Sequence, residues 1–428
     1  MTARKDASNL LALIAIQGSN AVLPLIIFPY SLHILGPDRY QDLVQGEAVS
    51  LLALSIVVYC FEVTGVAAVI GCHPLHDKDK IAREFSIVSY SRLLLFGITT
   101  PPLLLIIHAL HPGLLPATAA WLMIPLSFAI SPNWLFLGLQ RNEILAVVTC
   151  GSRLAAVALV FAVIHGPADH LYVPLTIGGC YLLAALIALY VATRIFGARF
   201  VPVPWKDIYR QIIDGNAIFL ANASVTLYRD LNVLILGVLN VPSYAVANYS
   251  IAEKFAKALQ ATSRPINQHL VPKAMALAKQ AASPTRSLYF ALCRLLVPIT
   301  VLLTTVSAVM FLLIAFRQSL PMLNNIESYY PVALLASIMS IAGIFGSANS
   351  VLGMTSLSVL GRSRFLLIAV LLTGIVSLVT TFGLAFAFFE VGAAVGFVLG
   401  ELLLFAIITW KFLNNHRSVG VSKQRRDF

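Results

Sequence analysis

The sequence predicts an all-α integral membrane protein with twelve transmembrane helices in two six-helix lobes. Of its 428 residues, 59% are hydrophobic and only 11% are charged, whereas a soluble domain carries about 25% charged residues. The apolar residues are grouped in segments of about 20, the length of helix that crosses about 30 Å of hydrocarbon. Lys and Arg collect in alternate connections between those segments. The composition therefore excludes a soluble globular chain.

The first segment could be mistaken for a cleavable signal peptide because Arg4 and Lys5 precede its apolar run. The run continues past Pro24 to Phe28 without a small-x-small cleavage site, so we interpret it as the first span. Five isolated cysteines indicate neither a disulfide framework nor a metal site. The predicted spans are 9–31, 44–71, 86–110, 117–139, 144–164, 171–193, 216–239, 243–270, 288–316, 329–354, 365–389 and 391–413.

The distribution of basic residues predicts the orientation. With a cytoplasmic N-terminus, the cytoplasmic segments hold 20 of the 29 Lys and Arg residues, seven lie inside spans, and the opposite loops hold only Arg39 and Arg317. The positive-inside rule then places both termini in the cytoplasm. The net charge of +11 follows mostly from this excess, with attraction to anionic membrane lipids as a further contribution. Nucleic acid binding is not indicated.

The longest cytoplasmic connection falls at the middle of the chain and divides it into halves. It spans 195–214 and carries Pro202, Pro204 and a charged run. We expect an N-terminal six-helix lobe at 1–194, a linker at 195–214, a C-terminal six-helix lobe at 215–413 and a basic cytoplasmic tail at 414–428. The connections leave no room for a soluble catalytic domain.

Seven basic side chains lie inside the predicted spans. Each costs roughly 2.5–3.5 kcal/mol at the centre of a bilayer on insertion scales, so such residues face a wet cavity, a partner or a substrate. Arginine suits phosphate oxygens bidentately and lysine adds a point charge. The set predicts a shared cavity for an anionic cargo, and its members are Arg92, Arg153, Arg229, Lys254, Lys257, Arg264 and Arg294.

Carboxylates inside the spans allow two further interpretations. They could form interhelical ion pairs with the bases, and Glu253 and Lys257 have the i,i+4 spacing of such a pair. They could also couple transport to H⁺ or Na⁺; the candidates are Glu47, Glu62, Asp230, Glu253 and Glu401. A metal site near His108, His111, His165, His170 and Asp169 is the weaker alternative, and no catalytic set or cofactor site is recognised.

Several motifs together resemble Wzx-type polysaccharide flippases. The opening reads N-x3-P-x4-PY-x4-LGP-x2-Y from Asn20 to Tyr40, and a tryptophan-led segment runs from Trp134 to Arg141, with Arg153 beyond it. In the second half, Leu227 to Gly237 and the run Asn248 to Lys254 match in order. The chain departs from the family pattern at Gln41, Leu137 and Gln140, and the missing acid at 140 weakens any ion-pair gate there.

The resemblance implies a V-shaped inner-membrane transporter of the multidrug/oligosaccharidyl-lipid/polysaccharide exporter (MOP) superfamily, with a MATE-like fold and a central cavity. Such proteins move polyprenyl (undecaprenyl) diphosphate-linked oligosaccharide from the cytoplasmic to the periplasmic leaflet by alternating access. The basic set would hold the diphosphate or acidic sugars, and Gln17, Asn20, Asn222 and Trp134 would contact the sugars. A polysaccharide polymerase and chain-length proteins are expected partners.

Three alternatives remain open. A lipid II-type flippase for cell-wall precursors differs only in the glycan that it carries. An ion-coupled multidrug exporter of the same superfamily would need a cavity dominated by carboxylates, and the excess of bases disfavours it. A membrane-embedded glycan polymerase or sugar transferase would need a large extramembrane loop or a clustered catalytic set.

Overall fold

The computed structural model describes residues 2–73, 76–281, 283–315 and 330–414, without the side chains of 2–8, 10, 227, 262–269, 271, 272 and 354. These residues form helices and short connections. The α-helices are α1 Thr2–Val58, α2 Phe61–Val69, α3 Lys78–Leu110, α4 Leu115–Trp121, α5 Met123–Ile130, α6 Asn133–Gly138, α7 Asn142–Val163, α8 Tyr172–Phe196, α9 Trp205–Asp214, α10 Asn216–Arg229, α11 Asn232–Val238, α12 Ser243–Ala281, α13 Arg286–Ala315, α14 Tyr330–Ala348 and α15 Ser363–Leu413. Short 3₁₀ helices cover Pro112–Leu114 and Pro167–Leu171, and a π-helix covers Asn349–Leu357.

Eight helical segments in the described part of the chain are long and apolar enough to cross a membrane. They are Leu11–Val69, Lys78–Leu110, Pro112–Gly138, Asn142–Val163, Pro167–Phe196, Arg286–Ala315, Tyr330–Leu357 and Ser363–Leu413. The prediction of an all-α, multi-pass membrane protein is therefore confirmed. The first and last of these segments contain 59 and 51 residues, well beyond the roughly 20 that one crossing needs.

Helix α1 folds back on itself at Gly36. This residue has φ 74°, a left-handed conformation that glycine adopts without a Cβ clash. The rings of Phe28 and Tyr40 consequently lie 6.3 Å apart, whereas a straight helix would separate these residues by about 18 Å along its axis. The break falls between the first two predicted spans.

Helix α15 also contains a break, at Phe388 and Phe389, where Phe389 has φ 51°. Its two halves then pack closely through glycines at every fourth residue of the second half. A Cβ at Gly392, Gly396 or Gly400 would lie 2.0–2.6 Å from the Leu384 carbonyl, Thr381 or Ser377, respectively. Small residues at this spacing let two membrane helices approach each other. The break coincides with the boundary predicted between the last two spans.

The chain divides into two compact units, residues 1–226 with 240–247 and residues 227–239 with 248–428. In the first unit, α7 packs against α1 and α8, and α5 against α8. The core of that unit includes Phe61, Phe85, Trp134, Phe136 and Phe196. In the second unit, α14 packs between α13 and α15, and α11 packs on α15.

Candidate functional site

A buried arginine is the centre of the polar site in the first unit. Arg153 lies halfway along α7, and its side chain points between α1 and α8 with 7% exposure. Its Nε donates a hydrogen bond to Asn20 Oδ1 at 3.0 Å, and its Nη1 donates to Ser152 Oγ at 3.3 Å. The guanidinium carbon is 3.3 Å from the centroid of the Tyr181 ring. Arg153 and Asn20, predicted to bind cargo together, are thus in direct contact.

Every one of these contacts is with a neutral group. No carboxylate in the described part of the chain forms an ion pair with Arg153. Asn20 and Ser152 accept two of the five N–H bonds that a guanidinium donates, and the Tyr181 ring supplies a cation–π contact. A charge removed from water without a counterion is costly, so this environment favours an anion beside Arg153.

The space beside Arg153 is a small polar cleft. The polar residues Ser127, Ser131, Asn133 and Thr149 line it together with Tyr181 and Arg153 itself. Asn20, which accepts the hydrogen bond from Arg153 Nε, is exposed. The cleft presents hydroxyl and amide groups next to the guanidinium, and such groups donate hydrogen bonds to phosphate or carboxylate oxygens.

Arg92 has a different environment. Its side chain is 1% exposed, and Nη2 lies 2.7 Å from Glu62 Oε1. Nη1 donates to the carbonyls of Phe128 and Ser131 at 3.1 and 3.2 Å, at the C-terminal end of α5, where carbonyls lack partners within the helix. The contacts of Arg92 therefore hold α2, α3 and α5 together.

Trp134 lies in the core of the first unit. Its indole is 1% exposed, and a Cβ added at Gly65 would lie 2.8 Å from its ring. The sugar contact predicted for Trp134 would require this packing to open. Of the other residues predicted to contact sugar, Asn222 is exposed on α10 and Gln17 is half-buried on α1. The coupling candidate Glu47 is half-buried on the same helix.

Two ion clusters occupy the second unit. In the first, Glu401 of α15 is buried and lies 3.6 Å from Arg229 Nε. Asn349, the first residue of the π-helix, donates to the Glu401 carbonyl and to its Oε2 at 3.0 and 2.9 Å. Gln260 accepts a hydrogen bond from Arg229. A π-helix is rare and occurs frequently at functional sites.

In the second cluster, Lys257 lies between two carboxylates. Its Nζ is 2.6 Å from Asp230 Oδ1 and 3.2 Å from Glu253 Oε1. The i,i+4 pair that the spacing of Glu253 and Lys257 predicted is therefore confirmed. Lys254, half-buried on the same helix, also acts electrostatically on Glu253. Arg229 and Lys257 thus both meet acids, as the ion-pair interpretation expected.

Two predicted bases lie apart from these clusters. Arg294 is exposed on α13, and the side chain of Arg264 lies outside the described residues. Among the described residues, no three His, Cys, Asp or Glu side chains gather as a metal site. Asp169 instead accepts the backbone N–H groups of His165 and Gly166, both at 3.0 Å.

Sequence reasoning missed Tyr181, Gln260 and Asn349. Gln260 follows Lys257 by three residues and so lies on the same face of the helix. Asn349 is a polar residue inside an apolar span. Both features could have identified these residues from the sequence. Tyr181 carried no signal, because aromatic residues are common in such spans.

Comparison with solved structures identifies the class of fold. The chain resembles an inward-facing multidrug-resistance MATE transporter of the MOP superfamily, with TM-score 0.64 and 14% identity over 94% of this chain and 97% of that one. It also resembles the eukaryotic MATE transporter AtDTX14, with TM-score 0.60 and 16% identity over 95% and 94% of the two chains. At such identities the likeness shows the fold alone. The fold is that of a MATE-like membrane transporter.

Residues 7–276 match the family described as "Polysaccharide biosynthesis protein", and the chain belongs to this family. An Escherichia coli K12 protein named "Putative O-antigen transporter" is 27% identical over 95% of this chain and 96% of its own length. A Shigella dysenteriae protein of the same name is 25% identical over 62% and 66%. These matches confirm the resemblance to polysaccharide flippases that the sequence motifs indicated.

Proposed function

We propose that this protein is a flippase that carries polyprenyl (undecaprenyl) diphosphate-linked oligosaccharide from the cytoplasmic to the periplasmic leaflet. The cargo would serve O-antigen or other surface polysaccharide synthesis, since the family description names polysaccharide biosynthesis and both relatives are named for O-antigen transport. The observation that carries the proposal is Arg153, a buried base bonded only to neutral groups and placed beside a polar cleft.

The physical reason is the cost of moving a diphosphate through hydrocarbon. An isolated charge in a medium of low dielectric constant costs tens of kcal/mol by continuum solvation. A guanidinium with unused N–H groups replaces part of the lost hydration by charge-assisted hydrogen bonds. Asn20 is exposed next to Arg153 and would meet the first sugars, since amides bond sugar hydroxyls well.

The transport cycle that we propose is alternating access between two six-helix lobes around a central cavity. The breaks at Gly36 and Phe388–Phe389 would divide the two longest apolar segments into two crossings each. Residues 216–239 and 243–270 would supply the remaining two of twelve. Both termini would lie in the cytoplasm, and the protein in the bacterial inner membrane, as the distribution of basic residues predicts.

The acids have proposed roles in energy coupling. Asp230, Glu253 and Glu401 hold Lys257 and Arg229, and uptake of H⁺ or Na⁺ by one of them would release its base to the diphosphate. Glu47 and Glu62 are the candidates in the first unit. A polysaccharide polymerase and chain-length proteins would take the glycan after its transfer.

Reconstitution of the purified protein tests the function. Proteoliposomes would contain radiolabelled polyprenyl diphosphate-linked oligosaccharide, and the glycan in the outer leaflet would be oxidised with membrane-impermeant periodate. We expect the protein to expose the protected half of the cargo, and liposomes without protein to keep it protected. Exposure of lipid II but not of the oligosaccharide lipid would favour the cell-wall alternative. Transport of an organic cation with neither lipid moved would favour the multidrug exporter.

A further inference from the structure

The helix α9 has an apolar stripe that the described part of the protein leaves uncovered. Trp205, Tyr209 and Ile213 follow each other at every fourth residue, and their exposures are 60%, 58% and 46%. Residues at this spacing share one helical face. Lys206 and Arg210 are exposed beside this stripe. We call these five residues the outer face of α9.

The apolar arc of α9 is wider than the part that the protein covers. At about 100° per residue, Ile208, Ile212, Trp205, Tyr209 and Ile213 form one continuous arc. Ile208 is buried and Ile212 is half-buried against the first unit, but the other three residues remain exposed. A helix that was only a soluble linker would need no apolar residues on the open half of its arc.

Polar contacts fix the orientation of α9 on the first unit. Arg83 of α3 bridges Asp207 at 2.8 Å, and Gln211 donates to the hydroxyl of Thr64 at 3.0 Å. The segment that precedes the helix is also held in place, because Val201 N–H donates to Ser86 Oγ at 2.8 Å. The outer face therefore cannot turn inward without breaking these contacts.

The same contacts indicate the level of α9 relative to the apolar spans. Arg83 and Ser86 lie near the beginning of the apolar segment Lys78–Leu110, so α9 would lie at the level where this segment enters a bilayer. Tryptophan and tyrosine are enriched at this level because their rings bridge the acyl and headgroup regions. Lysine and arginine next to them reach the phosphates.

We infer that the outer face of α9 binds anionic phospholipids of the leaflet that it lies against. The rings of Trp205 and Tyr209 would enter the boundary between acyl chains and headgroups, and Lys206 and Arg210 would hold phosphate oxygens. Asp214, 3.7 Å from Arg210, is a weak competitor because both side chains are well exposed. Asp207 faces Arg83 and does not compete.

Quenching of tryptophan fluorescence by brominated phospholipids tests this inference on the full-length protein in nanodiscs. The wild type is compared with Trp205→Phe, so that the difference reports Trp205; Trp121 and Trp134 are buried, and the exposed Trp410 contributes equally to both proteins. We expect brominated phosphatidylglycerol to quench Trp205 more than brominated phosphatidylcholine at equal bulk fraction. The preference should approach about fivefold for each base at low salt and fall as salt is added.

Two double variants assign the preference to the bases of α9. Lys206→Gln with Arg210→Gln should make the two lipids quench Trp205 equally. Arg362→Gln with Arg364→Gln removes the same charge from exposed residues elsewhere and should leave the preference intact. Equal quenching by both lipids in the wild type would overturn the inference. So would absence of quenching by either lipid, which would mean that another protein surface covers the stripe.

Discussion

The guanidinium of Arg153 lies over the ring of Tyr181, with 3.3 Å between the guanidinium carbon and the ring centroid. This contact joins α7 to α8 and takes the place that a carboxylate usually has beside a buried base. A ring stabilises the cation without neutralising it. Among the described residues Arg153 has no carboxylate partner, and this is the basis of the proposed anion site.

Two substitutions at Tyr181 distinguish the contribution of its aromatic ring from that of its hydroxyl group. Tyr181→Phe keeps the cation–π contact, so transport should remain near the wild-type level. Tyr181→Leu removes a contact worth about 0.5–2 kcal/mol, and the rate at which the protected oligosaccharide lipid becomes exposed in proteoliposomes should fall by roughly 2- to 30-fold. Equal losses in both variants would contradict a role for the ring.

The pair Arg92–Glu62 should contribute to stability. Glu62→Gln leaves Arg92 buried without its counterion, and breaking a buried pair costs about 3–5 kcal/mol. Because Glu62 is 33% exposed, we expect a smaller loss, about 1–3 kcal/mol, seen as a lower melting temperature in detergent. In an Arg92→Met background the same change should cost much less. Purely additive effects of the two substitutions would show that the pair is not coupled.

We expect Arg229 to stabilise the protein mainly because its partner Glu401 is buried. Arg229→Gln should lower the melting temperature, with a loss of roughly 1–3 kcal/mol. Arg229→Gln combined with Glu401→Gln should recover part of this loss, since Asn349 can still donate to the new amide. Arg294→Gln, at an exposed arginine, should leave the melting temperature unchanged. If the double variant is less stable than Arg229→Gln alone, the electrostatic explanation is wrong.

Alanine substitutions at two glycines test how tightly Trp134 is packed. A Cβ at Gly65 would lie 2.8 Å from the Trp134 ring, whereas a Cβ at Gly151 would meet no atom within 4 Å. Gly65→Ala should therefore destabilise the protein by about 1–3 kcal/mol, and Gly151→Ala should be neutral or stabilise it by about 0.5–1 kcal/mol. Thermal unfolding in detergent measures both. An unaffected Gly65→Ala variant would indicate that Trp134 is loosely packed.

The sequence predicted the features that depend on composition and local spacing. The helix class, the breaks near Gly36 and Phe388 and the pair Glu253–Lys257 follow from apolar run length and from i,i+4 geometry. The contacts of Arg92 with Glu62 and with the end of α5 join residues 30–39 positions apart, and no periodicity encodes them. The contact of Arg153 with Tyr181 likewise depends on how α7 and α8 pack. The sequence could therefore identify the seven bases inside the spans, but it could not show which of them have acidic partners.

Complementation of a deletion in the native host tests the central claim most directly. The measurement is the ratio of surface polysaccharide to intracellular polyprenyl diphosphate-linked oligosaccharide in cells that express wild type, Arg153→Gln or Arg294→Gln at equal membrane levels. Loss of a charge-assisted hydrogen bond of about 1.5–3 kcal/mol predicts a roughly 10- to 100-fold lower transport rate for Arg153→Gln, with the lipid-linked glycan accumulating. Arg294→Gln should restore both pools. Full restoration by Arg153→Gln, or unchanged pools in the deletion strain of a host without a redundant flippase, would contradict the account.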